Sequence, residues 1–173
     1  MSMEFIDSQT ATGTADFIDF TFATPVDFAN YSEMVCTFSF GTTSTSDIQV
    51  RVGDSGESGS LTTSTYNMQK SDNTGGTFTN ESNSGQASWN PATHPRISSQ
   101  DGCSGYVRVY LIRDSNDDTF LSFQSAIEGY ESIFMASGWN TTVQTDLKYF
   151  RIFVDDTRNI AGNYIACYKL KRT

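Results

Sequence analysis

Residues 149–170, YFRIFVDDTRNIAGNYIACYKL, decide the fold of this chain. Two runs in this stretch alternate apolar and polar side chains, and a Gly-containing segment separates them. Residues 28–55, FANYSEMVCTFSFGTTSTSDIQVRVGDS, show two more alternating runs with a Thr/Ser-rich tip between them. A period of two places alternate side chains on opposite faces of a β-strand. Both stretches therefore predict strands that bury one face in a core.

The same alternation recurs through most of the chain, while helical periodicity is almost absent. Apolar residues repeat at every second position in the ranges 18–22, 34–40, 48–52, 107–111, 150–154 and 164–170. Only residues 121–129 are a weak helix candidate. Many strands without helices indicate an all-β fold, a single antiparallel β-sandwich that is jelly-roll-like with long polar loops. We assign residues 1–15 to an N-terminal arm and residues 16–173 to the sandwich domain.

Composition and charge narrow the classes of partner. The 173 residues carry a formal net charge of −9, and the isoelectric point is near 4.4. Nucleic-acid binding needs a basic footprint, so we expect no nucleic-acid partner. No apolar run approaches the ~18–20 residues of a membrane helix, and the N-terminus has no apolar signal core. We therefore expect that the protein does not insert in a membrane, and that it is made in a cytosol.

The middle of the chain differs in composition from the rest. Residues 69–105 are rich in Gly, Asn and Ser, and we predict a long polar loop there. Trp89 lies in this stretch, and Trp139 lies in a second polar segment. Each Trp could be an open platform for a ligand or a plug that anchors the segment to the core. The plug is favoured because large aromatic side chains are usually well buried.

Candidate catalytic groups are sparse. There is one histidine, His94, and no G-x-S-x-G nucleophile elbow. Cys103 shares the predicted loop with His94, but no flanking signature marks the two as a catalytic pair. The carboxylate pairs Asp117-Asp118 and Asp155-Asp156 are typical of solvated turns. We expect no catalytic residue, no enzymatic activity and no cofactor.

One acidic turn resembles a calcium loop in spacing. Asp114, Asn116 and Asp118 stand at positions 1, 3 and 5 of such a loop. Position 6 requires Gly and is Thr119, and position 12 requires Glu and is Ser125, so the EF-hand reading fails. A looser calcium site at these three residues stays open beside the alternative, an ordinary Asp/Asn turn.

The three cysteines are predicted to be structural. Cys36, Cys103 and Cys167 have no C-x-x-C spacing, and with His94 they offer too few ligands for a zinc site. Cys36 and Cys167 fall inside predicted strands beside apolar neighbours. We expect small buried hydrophobic side chains. A disulfide between two of the three stays open.

Four short motifs carry a resemblance to a known family. They are Tyr31-x-x-Met34-x-Cys36-x-Phe38, Ile48-x-Val50-Arg51-Val52, Asn159-Ile160-Ala161-Gly162 and Ile165-x-x-Tyr168-x-Leu170. Together they resemble the C-terminal β-sandwich domain of tailed-phage virion proteins, the family of head decoration proteins, knobs and tail-fibre tips. The similarity extends over residues 16–172. It implies a virion protein, made in the host cytoplasm, that docks on other capsid or tail subunits, often as a homotrimer.

Three functional hypotheses follow. The first is a non-enzymatic structural component of a phage virion, a surface decoration, knob or fibre-tip protein that exposes its loops to solvent or to the host surface. The alternative is a carbohydrate-binding module that attaches to host glycans through exposed aromatic side chains. Its candidate ligand contacts are Trp89, Trp139, Tyr66 and Tyr130. The third hypothesis, a polysaccharide depolymerase, has the least support.

Overall fold

The computed structural model describes residues 2–10, 16–42, 47–54, 66–74, 76–92, 103–113, 119–129, 132–143, 145–154 and 160–172. These residues form twelve β-strands. They are β1 (Met3–Gln9), β2 (Phe17–Asp27), β3 (Tyr31–Thr42), β4 (Ile48–Gly53), β5 (Tyr66–Thr74), β6 (Thr77–Gln86), β7 (Trp89–Ala92), β8 (Cys103–Arg113), β9 (Thr119–Gly129), β10 (Ser132–Val143), β11 (Asp146–Phe153) and β12 (Ile160–Lys171). The segment 121–129, the weak helix candidate, lies in β9.

The strands pair into two antiparallel sheets that pack as a sandwich. The larger sheet has the order β1-β12-β3-β8-β9-β10-β5-β6, and the smaller sheet has the order β2-β11-β4-β7. The all-β antiparallel sandwich predicted from the alternating pattern is therefore confirmed. In the described part of the chain no helix is long and apolar enough to cross a membrane.

The core lies between the two sheets and is built from alternate positions of the strands. In β2 the side chains of Ile18, Phe20 and Phe22 are buried, while the residues between them are exposed. Phe20 also meets Phe150 of β11, with ring centroids 6.3 Å apart. Each fully buried apolar side chain of this size contributes about 1.5–3 kcal/mol relative to an exposed one. The period-two pattern read from the sequence is thus the pattern of burial.

The prediction of a long loop over residues 69–105 is wrong for the part of this range that the structure describes. β5 and β6 form an antiparallel hairpin, and β7 joins the smaller sheet beside β4. Gly76 at the hairpin turn has φ of +83°, a left-handed conformation that only glycine adopts without strain. Nine of the ten residues of β6 are exposed and the tenth is intermediate, so this strand forms without burying an apolar side chain. Its one large apolar residue, Phe78, is 72% exposed.

The first residues of the chain also belong to the larger sheet. Met3–Gln9, inside the stretch that we assigned to an arm, form β1 and pair with β12. The pairing runs from Met3 opposite Leu170 to Gln9 opposite Ile165. Ile6 packs against the core. This stretch therefore supplies an edge strand of the larger sheet.

All three cysteines are buried free thiols. Cys36 in β3 is the direct cross-strand partner of Cys167 in β12. Burial raises the pKa of the Cys103 thiol to about 12. Burial also raises the pKa of Cys167 well above its ordinary value, and the adjacent Cys36 raises it further. The prediction of small buried side chains is confirmed.

Candidate functional site

Two of the predicted ligand contacts lie in the core. Tyr66 is fully buried, and its hydroxyl oxygen accepts a hydrogen bond of 2.8 Å from the Val52 backbone N–H. Trp89 is also fully buried and stacks on Phe123, with ring centroids 5.2 Å apart. The core encloses both rings, which leaves neither open to a ligand. For Trp89 this placement matches the plug interpretation.

The close contact between Trp89 and β10 depends on a glycine. A β-carbon added to Gly138 would lie 2.6 Å from the Trp89 Nε1 atom and 3.0 Å from its Cδ1 atom. Real β-carbons do not approach other atoms so closely, so this position requires a residue without a side chain. Trp89 on β7 of the smaller sheet thus packs directly beneath β10 of the larger one.

Trp139 has a different environment from the other candidates. It lies on β10, and 42% of its surface is exposed. Tyr130 lies outside the described residues, and so do Asp114, Asn116 and Asp118 of the possible calcium site. Among the residues that are described, no group of three or more His, Cys, Asp or Glu side chains could hold a metal ion.

Trp139 belongs to the outer face of the larger sheet, which we define as the face turned away from the smaller sheet. Alternation along β10 assigns its residues to the two faces. Ile133, Met135 and Trp139 are exposed, whereas Phe134 and Ala136 are buried among core residues. The odd-numbered residues of β10 therefore point outward.

A groove of about 610 Å³ crosses this outer face. We call it the outer groove. The outward-pointing side chains that line it are Gln69 and Ser71 of β5, Asn80 and Ser82 of β6, Tyr106 of β8, Gln124 of β9, and Met135 and Ser137 of β10. Its volume is within the range of ~300–1,000 Å³ that is common for small-molecule sites. The outer groove is thus large enough to hold a ligand.

Strand register brings these distant residues together in two rows. The first row crosses the sheet as Ser82, Gln69, Ser137 and Gln124, each the direct partner of the next. The second row crosses it as Asn80, Ser71 and Met135, and then, through Ala126, reaches Tyr106. Neighbouring strands are ~4.8 Å apart, so five strands span roughly 19 Å. The outer groove therefore runs across the strands and is elongated.

The residues between the two rows belong to the opposite face. Lys70 and Glu81 are direct partners between β5 and β6, and they also line the groove. Lys70 Nζ lies 2.9 Å from Glu81 Oε2, and only 3% of the Lys70 side chain is exposed. A hydrogen bond from Lys70, with a second one from Asn83, lowers the pKa of Glu81. By alternation this ion pair projects away from the groove, so these residues contribute backbone to its floor.

The eight outward-pointing side chains that line the outer groove are all uncharged. Three are amides, three are hydroxyls of serine, one is a phenol and one is a thioether. Each amide offers both hydrogen-bond donors and acceptors, as a hydroxyl does. Tyr106 and Met135, with 37% and 62% of their surfaces exposed, add apolar area. The described lining contains no histidine, cysteine or outward carboxylate, and its chemistry suits binding of an uncharged polar ligand.

None of these eight residues was predicted from the sequence. Trp139, one of its four candidates, lies two residues from Ser137 on the same strand and the same face. The alternating run from Tyr66 through Met68 to Lys70 was a signal for β5 that the polar composition obscured. No protein-family model and no curated protein matches this chain, and its established identity is that of an all-β, two-sheet antiparallel sandwich.

Proposed function

We propose that this chain is a non-enzymatic binding protein whose outer groove holds a glycan, and that it acts as a surface component of a tailed-phage virion. The observation that carries the binding function is the outer groove, with its amides, hydroxyls and exposed Tyr106 gathered on one sheet face. The sandwich beneath it is the rigid frame. Glycan binding is also the alternative function that the sequence predicted.

A glycan fits the chemistry of the outer groove better than an apolar ligand does. Sugar rings carry hydroxyl groups that donate and accept hydrogen bonds, and Gln69, Gln124 and Asn80 can do the same in return. Sugar rings also have apolar C–H faces, which pack on aromatic side chains such as Tyr106. An open groove lets a chain enter and leave from either end, as attachment to a polymer requires.

The virion assignment rests on the resemblance of the strand motifs. A phage surface protein meets host glycans first, so the two parts of the proposal describe one role. The net charge of −9 favours keeping such particles apart in solution. This part of the proposal includes docking on other capsid or tail subunits and assembly as a homotrimer.

A glycan array tests the binding function. The wild-type protein should bind one or more glycans on the array. Tyr106→Ala should raise the dissociation constant by roughly 5- to 30-fold, the effect of losing about 1–2 kcal/mol at an aromatic contact. Tyr164→Ala is the matched control, because Tyr164 is 50% exposed on β12, outside the groove. Failure of the wild-type protein to bind any glycan, or equal losses in both variants, would contradict the proposal.

Quantitative mass spectrometry of purified particles tests the virion assignment. A copy number comparable to that of the major capsid protein indicates a decoration protein. A small multiple set by a cyclic ring indicates a tail or vertex component. Absence of the chain from particles would refute the virion assignment and leave the groove proposal to the array.

A further inference from the structure

We infer that the outer groove selects a neutral glycan chain, laid across the strands, and discriminates against glycans that carry carboxylates. This inference rests on the proposed function and adds the class of sugar and its direction. The evidence for it is the distribution of charge around the outer groove and the alignment of the hydrogen-bonding side chains in rows across the strands.

Two cations lie beside the outer groove, and each is paired with a carboxylate. Lys70 is paired with Glu81 on the opposite face of the sheet, at 2.9 Å. Arg108, next to Gln124 across β8 and β9, donates two hydrogen bonds to Glu33, and that from Nη2 is 2.7 Å long. Each cation therefore already has a carboxylate partner. A uronic or sialic acid would have to compete with Glu33 or Glu81 for its counter-charge.

The net charge of the chain also disfavours acidic ligands. The chain carries 20 acidic and 11 Lys or Arg residues, so its net field repels anionic polymers. A carboxylate held among the uncharged groups of the outer groove would lose hydration without gaining an ionic partner, which is unfavourable. A neutral sugar loses only hydroxyl hydration, and the amides replace those hydrogen bonds.

The register of the strands sets the direction of the bound glycan chain. The row of Ser82, Gln69, Ser137 and Gln124 runs perpendicular to the strands. A chain that follows this row meets a polar group at each of the four strands, about every 4.8 Å, over roughly 14 Å. Trp139 lies two residues beyond Ser137 along β10, roughly 7 Å away, and flanks the row from outside. A ligand that ran along a single strand would meet only one or two of these groups.

The experiment compares neutral and acidic polymers on wild-type protein and on two variants of equal net charge. The probes are a neutral glucan, a neutral mannan and a neutral galactan against hyaluronate, alginate and polysialic acid. Gln124→Lys places a cation in the outer groove. Gln86→Lys places the same charge at the end of β6, where Gln86 is exposed and does not line the groove. Circular dichroism checks that both variants are folded.

Wild-type protein should bind at least one neutral polymer and bind every acidic polymer at least tenfold more weakly. Gln124→Lys should raise the affinity for an acidic polymer severalfold, and Gln86→Lys should leave it near the wild-type value. Preference of the wild-type protein for an acidic polymer would overturn this inference and leave the proposed function in place. Equal effects of the two lysine variants would also overturn it. Binding of neither class would refute the proposed function itself.

Discussion

Replacement of Gly138 by alanine tests how β10, and with it the outer groove, is held over the core. The added β-carbon would clash with the backbone carbonyl oxygen of Asn67 and would lie 2.6 Å from Trp89 Nε1. Neither neighbour can move freely. Asn67 is in β5 and pairs with Trp139 of β10, and the indole of Trp89 is fully buried against Phe123.

The expected cost is large for a single methyl group. Overpacking a core usually costs ~1–3 kcal/mol, and two rigid neighbours place Gly138→Ala near 3 kcal/mol, the upper end of that range. For a domain of this size each kcal/mol lowers the melting temperature by roughly 2–4 °C. The melting temperature should therefore fall by about 6–12 °C.

Thermal and urea unfolding followed by circular dichroism measure the effect, with Ser137→Ala as the control. Ser137 is the exposed neighbour of Gly138 on the same strand, and surface substitutions usually stay within ~0.5 kcal/mol. Trp89→Phe in the Gly138→Ala background removes the indole nitrogen, so the double variant should lose less stability than the sum of the single changes. A melting temperature for Gly138→Ala equal to that of Ser137→Ala would refute the close approach of Trp89 to β10.

Two further predictions concern titratable groups. Burial raises the pKa of the Cys103 thiol to about 12, so the native protein near pH 8 should react with a thiol reagent far more slowly than the urea-unfolded chain; equal rates would show an accessible thiolate. The hydrogen bond from Lys70 lowers the pKa of Glu81, so its carboxylate stabilises the fold above the ordinary value of 4.5, and this contribution disappears as the pH falls through the lowered value. Glu81→Gln should therefore reduce the acid dependence of the unfolding free energy, whereas parallel acid profiles for variant and wild type would exclude a stabilising role for the pair.

The alternating pattern was sufficient to find strands but not to assign them to sheets. Residues 149–170 cover most of β11 and β12, the two strands that the sequence predicted there. The two strands lie in different sheets, β11 between β2 and β4, and β12 between β1 and β3. Alternation reports only that one face of a strand is buried. Which strands pair depends on contacts between distant segments, which a local pattern does not contain.

The prediction for the polar middle of the chain was wrong because it rested on composition alone. We predicted a loop at residues 69–105 because apolar residues are scarce there, yet β6 forms with no buried apolar side chain, and its Phe78 is exposed. Composition also could not decide whether Trp89 is exposed or buried. Its polar neighbours fitted an exposed loop residue as well as a buried plug, and only the position of β7 beneath β10 decides between the two.

The outer groove could not be predicted because no segment of the sequence contains it. Its eight outward side chains come from five strands, between residues 69 and 137, and each strand supplies only one or two. Individually these are ordinary exposed amides, hydroxyls and a tyrosine. They become a site through the register of β8, β9, β10, β5 and β6, and a shift of one residue in any strand would turn its contribution to the other face.

Nuclear magnetic resonance mapping of glycan binding tests the central claim most directly. Isotope-labelled protein is titrated with oligosaccharides of the neutral glucan, mannan and galactan, and the backbone amide signals are followed. We predict that the shifted signals cluster at residues 69–71, 80–82 and 135–137 and at Tyr106 and Gln124, while the smaller sheet stays unchanged. Shifts centred on the smaller sheet, or no shift with any of these sugars, would contradict the account.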